Sequence, residues 1–143
     1  MLRAYKYRIY PTDEQKVLFA KTFGCCRFVY NWALNLKIEA YRQEKRSVAY
    51  KEVQDRLVNE LKKENQWLAE VNSQALLNSI RNLDIAYKNF FRDTHAVEFP
   101  RFKSRKNRQS FQCPQHCSID FAKGTITIPK AKDIPAVLHR GFK

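Results

Sequence analysis

A cationic stretch after residue 100 has the residue types best suited to binding chemistry. No acidic residue occurs between Pro100 and Ser110, and Phe99 and Phe102 alternate with the basic side chains. The stretch contains five basic residues: Arg101, Lys103, Arg105, Lys106 and Arg108. Cations that contact phosphates, together with rings that stack on bases, suit a polynucleotide. The stretch therefore predicts contact with nucleic acid. The alternative is a solvated loop that its phenylalanines anchor to the core.

A helix over residues 72–91 offers a second polar surface. Its large apolar residues recur every three or four positions and so share one stripe of a helix: Leu76, Ile80, Leu83, Tyr87 and Phe90. Asn72 or Ser73 can cap the first turn. The opposite face is predicted to present hydrogen-bond donors to a polar, negative partner: Asn78, Arg81, Asn82 and Lys88. The rest of the chain must pack against the apolar stripe.

Residue patterns typical of a self-sufficient enzyme are missing from the sequence. There is no carboxylate cluster, no Ser or Cys placed with a His, and no glycine-rich phosphate loop. His95, His116 and His139 stand in separate contexts. We therefore expect no catalytic residues, no cofactor and no small-molecule substrate for this chain.

The four cysteines raise the possibility of a zinc site. Cys113 and Cys117 are separated by three residues, one of which is His116, and Cys25 with Cys26 would have to complete the ligand set. Neighbouring residues on a helix point about 100° apart, so Cys25 and Cys26 are poorly placed to bind one ion. Thiols without a metal are the prediction.

The composition points to a polyanionic partner. The 143 residues include 27 Lys and Arg against 14 Asp and Glu, which gives a formal net charge of +13 and a pI near 9.8. This charge favours nucleic acid through counterion release. No apolar run of about 18 residues and no signal-peptide core is present. We expect a cytoplasmic protein with reduced thiols and no membrane partner; the oligomeric state is left open.

The elements in order begin with a strand over residues 1–10, whose outer face carries Lys6 and Arg8. Thr12 to Gln15 forms a capping-box signature for a short helix that Gly24 should break. A second helix restarts at Cys25 with its apolar residues at helical spacing, giving a helix-turn-helix pattern. Its polar face holds Arg27, Asn31, Asn35 and Lys37. A third helix runs from Tyr50 through Val53, Leu57 and Leu61, and Trp67 is expected to plug the bundle before the long helix.

After the helices, a β-hairpin is predicted across Gly124, with Ile119 and Phe121 facing Ile126 and Ile128. Pro129 should end that strand, and Val137 with Leu138 suggests a final one. Because a single strand is not stable alone, the N-terminal strand must pair with these C-terminal strands. The helices are then an insertion in a small β-unit.

Several runs together resemble the N-terminal part of TnpB (OrfB) proteins of insertion sequences. They cover nearly the whole chain in the same order: 7–12, 27–32, 86–92, 99–103, 128–130 and 137–140. The resemblance implies a transposon-encoded, RNA-guided DNA endonuclease related to compact type V CRISPR effectors. It also implies that the family's RuvC-like carboxylates and zinc motif lie beyond the region matched, so this chain inherits no nuclease site.

The resemblance implies an α+β fold in which a four-helix recognition bundle is inserted into a partial antiparallel β-barrel, the oligonucleotide-binding-like wedge. By this likeness residues 1–10 form the first wedge strand, residues 11–94 the helix-turn-helix-like recognition domain, and residues 95–143 the remaining, truncated wedge. Guide RNA and duplex DNA are the implied partners, and the basic stretch resembles the segment that lies along the guide RNA.

Positions that match the family's readers of the transposon-adjacent DNA motif are Tyr50, Ser73, Gln74 and Leu77. Gln74 could contact adenine through two hydrogen bonds in the major groove. Leu77 departs from the polar residue expected there. The alternative is that Tyr50 and Leu77 belong to the core and that Ser73 is only a cap.

Two hypotheses for function follow. The first is a non-catalytic, nucleic-acid-binding portion of a TnpB-like protein. The second is a free-standing helix-turn-helix transcriptional regulator with residues 25–43 as its recognition helix. The aromatic residues of that helix, such as Trp32, indicate that it is too buried to enter a groove, so the first hypothesis is preferred.

Overall fold

Helices and an antiparallel sheet form an α+β fold in the computed structural model, which describes residues 2–93 and 96–139. The strands are β1 (Arg8–Ile9), β2 (Ser118–Asp120), β3 (Thr125–Ile128) and β4 (Ala131–Val137). The helices are α1 (Asp13–Glu44), α2 (Tyr50–Arg56), α3 (Lys62–Glu64) and α4 (Ser73–Arg92). A π-helical segment, Leu57–Leu61, joins α2 to α3 without a break, and a 3-10 turn, Gln66–Glu70, precedes α4. The described residues therefore contain three long helical segments.

The start of α1 is the capping box that the sequence predicts. The hydroxyl of Thr12 accepts from the backbone N–H of Gln15 at 3.3 Å, and the side chain of Gln15 accepts from the N–H of Thr12 at 2.9 Å. At the other end Lys45 adopts a left-handed conformation, and its N–H donates to the carbonyl of Tyr41. Local polar chemistry thus defines both ends of the helix.

The predicted break at Gly24 is wrong, because α1 continues through this residue. Glycine inside a helix costs only about 1 kcal/mol relative to alanine. Next to it, the buried side chains of Thr22, Cys25 and Cys26 hold the same helix against the core. Tertiary packing therefore outweighs the local preference, the helix-turn-helix at Gly24 is not formed, and one helix replaces two of the predicted four.

The core lies between α1, α2 and α4. Leu76, Ile80 and Leu83 of the predicted stripe are almost fully buried, which confirms the stripe, while Tyr87 packs at its edge. Asn72 is the N-cap, since its side-chain oxygen accepts from the N–H of Gln74.

Two predictions about the core are wrong. Trp67 does not plug the bundle: it is 43% exposed and packs edge-to-face on Phe28, and its neighbour Leu68 fills the interior instead. Lys37 does not lie on an outer polar face either. It is buried, and its ammonium group donates to the carbonyl of Val48 at 2.6 Å.

The sheet has the order β1-β4-β3-β2, with all neighbours antiparallel. Ile119 pairs with Ile126 in the predicted hairpin, and Gly124 supplies the positive φ of +68° that the turn needs. Arg8 pairs with Val137, which confirms that the N-terminal strand joins the C-terminal strands. Within the described residues the sheet is open, and β1 has two residues rather than ten. Predictions that involve Met1, residues 94 and 95, or residues 140–143 lie outside the described residues.

Two side-chain hydrogen bonds attach the sheet to the helices. The amide of Gln15, in the first turn of α1, donates to the carbonyl of Lys132 at 2.9 Å. The ammonium of Lys130 donates to the carbonyl of Ala69, just before α4, at 2.9 Å. The sheet is therefore held at the N-terminal ends of both long helices.

Candidate nucleic-acid interface

The basic strap, defined as residues 101–108, runs beside α1, and the segments before and after it are anchored to the helices. Upstream, Phe99 packs on Phe90 of α4 with a centroid distance of 5.3 Å. Downstream, Phe111 packs on Phe19 and Phe23 of α1 at 5.8 and 5.3 Å. The chain thus returns from the end of α4 toward the beginning of α1, where the sheet lies. Phe99 and Phe111 fix the ends of the strap and leave its cations exposed to solvent.

Asn31 of α1 attaches the middle of the strap. Its side-chain oxygen accepts from the backbone N–H of Lys103 at 2.7 Å, and its amide donates to the carbonyl of the same residue at 2.9 Å. This pair of hydrogen bonds imitates one step of a β-ladder. The Lys103 ammonium group lies 4.6 Å from the centroid of the Tyr30 ring, a cation–π contact that directs this side chain along α1.

We expect Asn31→Ala to detach the strap while leaving the helices folded. Each of the two hydrogen bonds that the substitution removes contributes about 0.5–1.5 kcal/mol, so limited trypsin digestion should cut the strap at least fivefold faster. Asn35→Ala is the matched control, because Asn35 is exposed one turn further along α1. Equal cleavage rates in the two variants would show that Asn31 does not hold the strap.

Inside the strap a tight turn orders the backbone. The N–H of Asn107 donates to the carbonyl of Ser104, and the hydroxyl of Ser104 accepts from the N–H of Lys106. Arg101 pairs with Glu98 at 2.8 Å, although both side chains are more than three-quarters exposed. A surface pair of this kind is worth little, so the Arg101 guanidinium group is available to a phosphate at small cost.

A polar cleft of about 60 Å³ lies where the strap meets α1 and α4. Lys103 and Arg108 line it from the strap, Arg27 from α1, and Asn82 from α4. Three residues that the sequence analysis singled out therefore meet at this cleft: Lys103 and Arg108 of the strap, and Asn82 of the polar face of α4. Three cationic groups around amide donors form an arrangement that suits a phosphodiester oxygen.

Some of the predicted nucleic-acid-binding residues on α4 are accessible to solvent, and others are packed against the core. Gln74 is half-buried and Arg81 exposed; seven residues apart, they share the face directed away from the core. Ser73 is exposed as the first residue of the helix. Asn78, predicted on this exposed face, is instead 8% exposed and donates to the carbonyl of Gln74, so its placement there is wrong. Leu77 packs partly buried against the core.

Three more predicted residues lie elsewhere on the surface or core. Tyr50, at the start of α2, is half-buried against the core like Leu77. Lys6 and Arg8 are exposed near or in β1, and the Arg8 guanidinium lies 5.8 Å from the centroid of the Tyr10 ring. The structure attaches their strand to β4 and not to the strap.

Arg27, Asn31 and the buried Tyr30 contact the strap or line the cleft beside it, but they were not predicted as site residues. Arg27 and Asn31 were assigned to a polar helix face, yet nothing in the sequence indicated which segment covers that face. Asn31 and Lys103 are joined only by the tertiary course of the strap.

The cysteines do not converge. No group of three or more His, Cys, Asp or Glu residues able to hold a metal ion is present among residues 2–93 and 96–139. Cys25 and Cys26 are buried, and the thiol of Cys26 donates to the carbonyl of Ala75. The thiol of Cys117 donates to the carbonyl of Cys113. Burial raises the pKa of all four thiols. The pKa of Cys25 reaches about 11.

The regulator hypothesis assigned residues 25–43 as a separate recognition helix. In the structure these residues are the continuation of α1, and Cys25, Val29 and Ala33 bury their side of it. The turn on which that hypothesis depended is not formed at Gly24.

Among the described residues, no helix is both long and apolar enough to cross a bilayer.

Residues 1–46 match the family model of the OrfB-type helix-turn-helix domain. The described part of this range contains β1 and the single helix α1, and residues 45–49 connect that helix to α2. The match therefore covers about the first third of the chain and spans the joint between sheet and helices.

Three relatives align with most of the chain. A Streptomyces pristinaespiralis protein named as an RNA-guided DNA endonuclease is 37% identical over 92% of this chain and 32% of its own length. An Escherichia coli K12 protein named as the RNA-guided DNA endonuclease InsQ is 36% identical over 90% of this chain and 32% of its own. The virulence protein VsdF of Salmonella dublin is 35% identical over 76% of this chain and 98% of its own. The chain spans about a third of the two endonuclease relatives.

Proposed function

Because the chain belongs to the TnpB/OrfB family of insertion-sequence proteins, we propose that it is the nucleic-acid-binding N-terminal portion of an RNA-guided DNA endonuclease. Its partners are guide RNA and the duplex DNA beside the target. One observation supports this most strongly: the basic strap is held against α4 by Phe99 and against α1 by Lys103 and Phe111, yet its five cations are all exposed. A loop that served only to connect helix and sheet would not need this concentration of charge.

The two partners are assigned to neighbouring surfaces of α4. The basic strap and the polar cleft bind the RNA backbone, because their cations are exposed and can contact phosphates. The outward face with Gln74 and Arg81 contacts duplex DNA, where the amide of Gln74 can pair with an adenine edge. Tyr50 and Leu77 support that face from the core side, and Ser73 contacts phosphate at the helix N-terminus.

The domain division follows the same proposal. Residues 11–94 form the recognition part, and residues 1–10 with 95–143 form the wedge, whose strands meet through the pairing of Arg8 with Val137. Lys6 and Arg8 extend the cationic surface on the wedge side.

The chain is proposed to bind without cutting. Cleavage by the family's chemistry requires grouped carboxylates that hold metal ions. In the part of the chain that the structure describes, no three His, Cys, Asp or Glu side chains are grouped so that they could hold a metal ion. Acids such as Glu70 and Asp84 pair with the surface cations Lys21 and Lys88.

The proposal is tested by measuring the affinity of the purified chain for three probes of equal length across a salt series. The probes are a hairpin RNA from the transposon end, an unrelated hairpin RNA, and duplex DNA. We expect the transposon hairpin to bind most tightly, with a log–log salt slope of about −3 or steeper for five strap cations. Tight, sequence-specific duplex binding by a dimer with weak RNA binding, or DNA cleavage in magnesium, would overturn it.

A further inference from the structure

An aromatic cleft of about 640 Å³ lies between the C-terminal ends of α1 and α4, away from the polar cleft. Four rings line it: Tyr41, Tyr87, Phe91 and Phe99. Phe91 is 68% exposed, Tyr41 61% and Phe99 40%. The volume falls within the range of pockets that hold small organic ligands.

Three of these rings, those of Tyr87, Phe91 and Phe99, pack on one another, and the ammonium group of Lys45 lies 5.0 Å from the centroid of the Tyr41 ring. Phe99 meets Tyr87 edge-to-face with a centroid distance of 5.3 Å, and Phe91 lies 6.0 Å from the same ring. The core of the helices is complete without Tyr41 and Phe91, which leave most of their surface in water. Clustered exposed rings of this kind mark interaction sites more often than isolated apolar residues do.

The charged groups in the walls of the cleft are all basic. The ammonium group of Lys37 lies 5.0 Å from the centroid of the Tyr87 ring, and Arg42 and Arg46 line the cleft beside it. Burial lowers the pKa of Lys37, against the opposing charges of Asp84 and Glu52. Arg42 pairs with Glu39, and Arg46 pairs with Glu44 and Glu52. None of these glutamates lines the cleft. A ligand inside therefore meets aromatic faces and cations, which suits a flat, electron-rich ring system attached to an anion.

The cleft is continuous with the basic strap. Phe99 forms one wall of the cleft and stands two residues before Arg101, the first strap cation. A polynucleotide whose phosphates follow the strap toward α4 arrives at the mouth of the cleft with its bases next to these rings. This continuity favours nucleic acid over an amphipathic helix of a partner protein, which would bring no phosphates for the strap.

We propose that the aromatic cleft binds unpaired bases of the RNA whose backbone the basic strap holds. The inference rests on the proposed function and adds to it a requirement for a single-stranded segment. Phe91 and Tyr41 supply the stacking faces, and Arg42 and Arg46 contact the flanking phosphates. Stacking is sequence-tolerant, so the cleft selects for unpaired bases and not for a particular sequence.

The test uses a hairpin RNA with an unpaired tail, the same hairpin without the tail, and a third whose tail is abasic. Alanine replacement of a stacking ring costs about 1–3 kcal/mol per base, so Phe91→Ala should weaken binding of the tailed RNA roughly 5- to 150-fold. Phe91→Leu, which keeps apolar bulk without a π-face, should weaken it as well. Binding of the tailless hairpin should change less than twofold, and the salt slope should stay the same.

Phe121→Ala is the matched control, because Phe121 is 45% exposed at the hairpin turn of the sheet. It should bind all three RNAs like the wild type. Tyr41→Ala repeats the test from the opposite wall of the cleft. If the wild type binds the abasic and normal tails equally, or if Phe91→Ala and Tyr41→Ala both bind the tailed RNA normally, the inference is wrong while the proposed function stands. If the wild type binds none of the RNAs, both fail.

Discussion

Replacing Arg105, Lys106 and Arg108 with glutamine is expected to weaken RNA binding roughly a hundredfold at 0.1 M monovalent salt. For a single strand, each phosphate that a cation no longer neutralises reduces the log–log salt slope by about 0.7, so three such phosphates reduce it by about 2. The difference in affinity should disappear as the salt concentration approaches 1 M, where counterion release no longer contributes. All three side chains are exposed, so the fold should be unchanged.

The control for this variant removes the same charge elsewhere. Lys16, Lys63 and Lys123 are exposed on α1, α3 and the hairpin turn, outside the strap and both clefts. Their replacement by glutamine also lowers the net charge by three but should reduce the slope by less than 1. If the two triple variants are weakened equally, the binding depends on overall charge and the strap is not an interface. Fluorescence anisotropy over a salt titration measures both slopes.

Raising the pH from 9 to 11 is expected to cost about 2 kcal/mol of stability through Cys25 alone. Burial raises the pKa of this thiol from 9.0 to about 11, with further contributions from Cys26 and Glu70 and an opposing one from Lys21. At pH 7 the thiol is protonated in both states, so its effect on stability does not vary around neutral pH. Between pH 9 and 11 the unfolded thiol loses its proton while the folded one keeps it, and unfolding becomes more favourable.

Other groups titrate in the same range. Burial raises the pKa of Tyr30 and Tyr87, which therefore act in the same direction as Cys25. Burial lowers the pKa of Lys37 and Lys62, so these two groups make the folded protein more stable as the pH rises. The contribution of the Cys25 thiol is therefore obtained by comparing the pH dependence of stability between the wild type and a variant that lacks the thiol.

Urea unfolding at several pH values, for the wild type and Cys25→Ala, gives this difference. The variant should lose less stability between pH 9 and 11, even if the smaller side chain lowers its stability at pH 7. Cys117→Ala is the comparison, because the Cys117 thiol is exposed and its pKa is raised less. Parallel stability curves for Cys25→Ala and the wild type would contradict the prediction.

Features with local causes could be predicted from the sequence. The Thr12 capping box, the Asn72 cap and the glycine turn at Gly124 each depend on residues within four positions of one another. The buried stripe of α4 follows from its periodicity. The pairing of the first strand with the last was also predictable, because a strand without a neighbour is unstable.

Features that depend on distant contacts could not be predicted. Gly24 suggested a break because the burial of its neighbours on α1 is not visible in the sequence. Trp67 was expected inside because of its size, but Leu68 occupies the interior. The strap composition was evident, whereas its attachment to Asn31 depends on residues more than 70 positions apart. The aromatic cleft joins Tyr41 to Phe91, which no local pattern connects.

The pairing of β1 with β4 also determines the sequence of events during translation. Arg8 leaves the ribosome early, but its partner Val137 follows more than 100 residues later. The three helical segments contact one another mainly within residues 13–92 and can assemble while the last strands are still being made. Completion of the sheet is then a late step, because this ladder requires the longest loop closure in the fold.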